Sequence, residues 1–88
     1  MVYVVSYDLS KPNRDYTALY TQLQNSQAWW HYLESTWLID TSESATQLYN
    51  RLASTIDKDD SLLVIEAGRQ RQGWLPDEAW KWIDEHLR

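Results

Sequence analysis

The chain contains no cysteine and no phenylalanine, only two glycines and two prolines, and no run of lysine or arginine. Without cysteine there is no disulfide framework, no thiolate metal site and no nucleophilic thiol, so stability has to come from packing. The 88 residues make a fold that buries only about 60–65% of the surface its unfolded chain exposes. Residues 1–88 are therefore expected to form one domain, with a second subunit as a further source of burial. Eight basic against thirteen acidic residues give a net charge of −5. The basic footprint of a nucleic-acid binder is missing, and non-specific duplex binding by a monomer is disfavoured. No apolar stretch approaches the roughly 20 residues that span a bilayer, and the first residues show no basic segment followed by an apolar run and a cleavage site. The expectation is a soluble, cytoplasmic protein with no membrane partner. Gly-rich phosphate loops, a serine nucleophile elbow and His-Glu-x-x-His are absent too, which removes the usual hydrolase and nucleotide-binding signatures.

What the chain does have is six tryptophans and six tyrosines. These rings carry large apolar area together with one N–H or O–H that wants a partner, so they suit half-buried surfaces and interfaces. Val2-Tyr3-Val4-Val5-Ser6-Tyr7 is short, β-branched and aromatic, and reads as a strand. Pro12 stops it and Asn13 is a plausible helix cap. Tyr16, Leu19, Tyr20 and Leu23 then recur at helical spacing, predicting an amphipathic helix over about 14–26. Residues 29–40 read as extended, and twelve residues exceed the usual strand of about 5–6. A break near Glu34-Ser35 is expected, making a hairpin rather than one bent strand. Thr41 or Ser42 is expected to cap a second helix striped by Ala45, Leu48, Tyr49, Leu52, Ala53 and Ile56. Asp57-Lys58-Asp59-Asp60 reads as a turn. Leu62-Leu63-Val64-Ile65 reads as a strand apolar on both faces, expected to lie against another element on each side. The polar loop from Gly68 to Gly73 leads to Pro76, Asp77 and Glu78, which open a C-terminal helix over about 76–87.

The order β-α-β-β-α-β, then α, predicts an α+β fold: a ferredoxin-like sandwich with an additional C-terminal helix. In that frame the first and third strands are expected side by side and parallel, finishing Asp8 and Asp40 at one sheet edge. His31 and the Asp59-Asp60 turn are expected to approach the same edge. Asp8, Asp40, Asp59 and Asp60 would then group where a hard divalent ion takes one or two carboxylates. The same acids also fit three solvated loops, and Asp8 also fits an Asx-type turn accepting N–H groups near Ser10. Parity places Asp8 with Val2, Val4 and Ser6 on one sheet face, and Tyr3, Val5 and Tyr7 on the other. Two helices cover one face only, so the opposite face needs the C-terminal helix or a second chain. His31 and Glu34 make a poor metal pair, since three positions apart on a strand they point to opposite faces. His31 fits a packing role among aromatics, and His86 a last-turn cation. Arg69 and Arg71 form the one local basic pair, able to meet phosphate or simply solvent. Trp74, Trp80 and Trp82 fit base stacking or, equally, core and interface.

A first strand ending in Tyr7-Asp8, the segment WHYLESTWLI at residues 30–39, a helix, and then IDKDDSLLVIE at 56–66 together resemble the superfamily of CRISPR-associated protein 2 and VapD. The likeness is nearest to its short SinR-type branch and covers residues 1–67. The resemblance implies a ferredoxin-like fold and a two-fold homodimer. It further implies Asp8 as metal ligand and catalytic residue, Mg²⁺ as the ion, and phosphodiester cleavage of RNA or DNA, or else a scaffolding role without catalysis. A two-fold axis near Asp8 would duplicate the carboxylate, so that one residue per chain makes the site. Beyond residue 67 the family pattern is a further strand crossing to the partner, where this chain has a basic loop and a Pro-initiated helix. A non-catalytic module that binds another protein through its aromatic surface is the alternative of a different class.

Overall fold

The computed structural model describes residues 1–11 and 14–87. Pro12 and Asn13, the expected strand stop and helix cap, lie outside them. Seven elements follow in order: β1 (Val2–Asp8), α1 (Thr17–Gln24), β2 (Ala28–His31), β3 (Thr36–Asp40), α2 (Ala45–Ala53), β4 (Ser61–Glu66) and α3 (Asp77–His86). The result is an α+β fold with one four-stranded antiparallel sheet, ordered β2-β3-β1-β4, and three helices. Residues 29–40 do form a hairpin, broken at 32–35.

The first and third strands are neighbours, but antiparallel, which corrects the parallel pairing expected of them. The cause is chain reversal. Helix α1 carries the chain back to the end where β1 began, so β2 runs with β1, and the hairpin then turns β3 against both. Asp40 consequently pairs with Val2, at the opposite end of the sheet from Asp8.

Alternation along the strands sorts the side chains as the parity argument requires. Tyr3, Val5 and Tyr7 of β1 and Trp37 and Ile39 of β3 face α1 and α2, where they close on Leu19, Leu23, Leu48 and Leu52 to form the core. Helix α1 is shorter than the 14–26 expected. The Asp15 carboxylate accepts from the Thr17 amide (2.8 Å) and hydroxyl at its start, and a tighter Ser26-to-Leu23 bond ends it. Helix α2 is capped by neither Thr41 nor Ser42. Ser44 is the cap, accepting from the Gln47 amide at 3.1 Å while the Gln47 side chain accepts from the Ser44 amide at 2.8 Å. Thr41 is instead buried, holding the bend into the helix through Glu43.

On the second sheet face, α3 turns its buried Ala79 and Ile83 inward, and the loop at 67–76 runs beside it. This cover is partial. Leu63 and Ile65 of β4 are 57% and 55% exposed, so β4 is an edge strand open on one face rather than one enclosed on both. Leu62 and Val64, pointing the other way, pack on the core.

Candidate functional site

Asp8 ends β1 opposite Ser61, the first residue of β4. Its side chain is exposed, and among the described residues it has no hydrogen-bond or ion-pair partner. It therefore does not make the Asx-type turn that its position allows. Ser6 lies two residues back on the same face, its hydroxyl 3.3 Å from that of Thr36. With Ser61 and Leu63 these residues line a shallow depression of about 260 Å³. Ser10, the other hydroxyl near Asp8, is turned away to Asp60.

The turn carboxylate of this region is Asp60. It accepts from the Ser10 amide (2.8 Å), the Ser10 hydroxyl (3.0 Å), the Tyr16 hydroxyl (3.0 Å) and the Asp57 amide (2.9 Å). These donors, the Ser10 amide foremost, favour the charged form and pull its pKa down from 3.8 to about 2. Asp57 is paired with Lys11 at 2.7 Å and Arg14 at 2.6 Å, and both hold its carboxyl below the ordinary range. Two of the acids in the 57–60 turn are thus committed to tying it to the segment after β1. Asp59 is exposed.

The four-carboxylate grouping does not form. Asp40 sits at the far end of the sheet, 3.4 Å from the N-terminal ammonium. Among the described residues no three His, Asp or Glu side chains come together as a metal centre. A Mg²⁺ ion takes one or two carboxylates plus water and phosphate oxygens. At this end of the sheet Asp8 is an exposed carboxylate without a partner among the described residues.

His31 does reach the Asp8 end, because it closes β2, which runs with β1. It is a packing residue: its ring stacks on Trp37 (3.9 Å between centroids, 10° between planes) and its Nε2 lies 3.1 Å from the Glu34 carbonyl oxygen. Tyr20 and Trp29 also lean on Trp37. The Trp37 Nε1–H donates to the Tyr7 hydroxyl at 3.1 Å. His86 stacks on Trp82 in the last turn of α3. Arg71 is bound to Asp84 (3.0 Å) and to the Arg69 carbonyl (2.8 Å).

Two features have no local sequence signal. Asp60 meets Ser10 and Tyr16 across more than forty positions, and only its bond to the Asp57 amide is foreshadowed by the Asp-x-x-Asp spacing. Arg51 binds both oxygens of Glu43 (2.8 and 3.1 Å), the Gln22 carbonyl and the Ser26 hydroxyl (3.0 Å), joining α1, α2 and the bend before α2.

Among the described residues no helix is long and apolar enough to cross a membrane. No protein-family model matches the chain, and a search of curated proteins finds no match either.

Proposed function

We propose that the protein is a homodimer of ferredoxin-like subunits that cleaves phosphodiester bonds in RNA or DNA with Mg²⁺, held by Asp8 of each copy. The single observation that carries this reading is the state of Asp8, an exposed carboxylate without a partner among the described residues, beside an open sheet face. The strand order β2-β3-β1-β4, with α1 and α2 on one face, supports the ferredoxin-like assignment. Leu63 and Ile65, exposed on the face that also carries Asp8, support a two-fold contact that would bring two Asp8 side chains together. When bound, such an ion supplies an activated water and offsets the charge that develops on the phosphorus oxygens. The chain's own part is to hold Asp8 at the end of a central strand, paired on either side with β3 and β4. With a net charge of −5, contact is confined to a short stretch of substrate, since phosphate neutralisation by Lys and Arg provides most non-specific affinity.

A second reading is a non-catalytic module that binds another protein. The observation favouring it is Trp74, wholly exposed on the loop before α3, with Tyr32 and Leu33 also exposed. Cleavage of labelled RNA and DNA with Mg²⁺ or Mn²⁺, with and without EDTA, by wild type and Asp8→Ala distinguishes the two. Loss of cleavage on chelation and in Asp8→Ala is expected. Cleavage that survives Asp8→Ala sinks the mechanism, and none by a dimeric wild type favours the module.

A further inference from the structure

Helix α3 does not seal the second sheet face. It stands over Val4 and Leu38 and leaves a cavity of about 320 Å³, closed at the side by the loop at 67–76. Volume narrows what could enter. A cavity of about 150 Å³ lined by aliphatic and aromatic side chains takes up benzene, and small-molecule sites begin at about 300 Å³. A bicyclic ring system therefore fits.

The lining narrows it further. Val4, Leu38, Leu75, Ile83 and Leu87 make the wall apolar, and Trp30 and Trp80 add two indole faces, which favour a flat aromatic guest. Among the described residues the one cationic group on the wall is Arg71, paired with Asp84 and also donating to the Arg69 carbonyl. An anionic guest would have to share Arg71 with Asp84, so the wall reserves no partner for a charge. Gln70 also lines the cavity, and its amide makes no hydrogen bond among the described residues. It offers one acceptor and one donor to a single polar group on the guest.

We propose that this cavity is a binding site for a small, uncharged, planar aromatic molecule of two fused rings bearing one N–H or O–H group, an indole-like compound. The site lies on the same sheet face as Asp8 but four residues back along β1, about 13 Å at strand rise. It does not depend on the nuclease reading.

The test is a ¹⁹F NMR titration of the full chain with 5-fluoroindole. Saturable binding is expected, with ¹H–¹⁹F Overhauser contacts from the bound fluorine to indole protons of Trp30 or Trp80. Val4→Phe and Leu38→Phe fill the cavity from two sheet positions, and each is expected to weaken binding about tenfold or more. Tyr49→Phe, exposed on α2 and outside the cavity, is expected to leave binding unchanged. 5-Fluoroindole-3-acetate is expected to bind about tenfold more weakly or worse. The Overhauser contacts are read on wild type, so they decide the matter even if both filled variants fail to fold. No saturable binding, contacts only to other residues, binding unchanged in the folded filled variants, or equal affinity for the acetate would each overturn the proposal.

Discussion

Asp60 accepts hydrogen bonds from both the amide and the hydroxyl of Ser10, fifty residues away, at 2.8 and 3.0 Å. That contact ties the turn before β4 to the segment leaving β1. It also takes up the amide that Asp8 would have accepted in an Asx-type turn, and among the described residues Asp8 has no partner.

The Asp60 carboxyl has a folded-state pKa of about 2, below its ordinary 3.8. A depressed carboxyl pKa contributes stability that is complete above the unfolded value and is lost as pH falls through the folded one. Wild-type melting temperature is therefore expected to fall between about pH 4 and pH 2. Asp15, Glu43 and Asp57, depressed likewise, act in the same direction. Asp60→Asn should melt lower at neutral pH and show a shallower acid slope, read by circular dichroism across the range. An identical slope would show that Asp60 does not set it.

Tyr7→Phe removes the hydroxyl that accepts from the buried Trp37 Nε1–H. A buried donor left unsatisfied costs about 1–3 kcal/mol. Urea denaturation should show a loss in that range, together with a shift in Trp37 fluorescence. A change below about 0.5 kcal/mol would mean that the indole finds another acceptor.

Ser44→Ala breaks the capping box of α2 and is expected to cost about 1 kcal/mol. Ser42→Ala, two residues earlier and exposed, should stay within about 0.5 kcal/mol. Equal effects in chemical denaturation would refute the assignment of the cap to Ser44.

Arg51→Lys keeps the charge but loses the fork that reaches Glu43, Gln22 and Ser26 together. A loss of about 1–3 kcal/mol is expected. The hydrogen bond from Arg51 is the main cause of the depressed Glu43 pKa, so an NMR titration should find the Glu43 carboxyl higher in the variant.

Local chemistry in the sequence determined most of the elements. Alternation placed Tyr3, Val5 and Tyr7 together on the sheet face away from Asp8, helical spacing picked out Leu48 and Leu52, and the hairpin at 29–40 followed from its length. These features survive because each depends on neighbours one to four residues apart. The cap of α2 slipped from Thr41 or Ser42 to Ser44, since any of three hydroxyls in a row of four residues can cap and only the exact helix start chooses among them. What tertiary structure alone decided is which acids meet. Strand direction sent Asp40 to the far end, long-range donors claimed Asp60, and Asp8 was left exposed at the end of a central strand. The stand-off of α3 that opens the cavity over Val4 and Leu38 is of the same kind. Periodicity says which face of a helix is apolar, whereas the distance at which that face packs depends on side chains from three strands and a loop acting together.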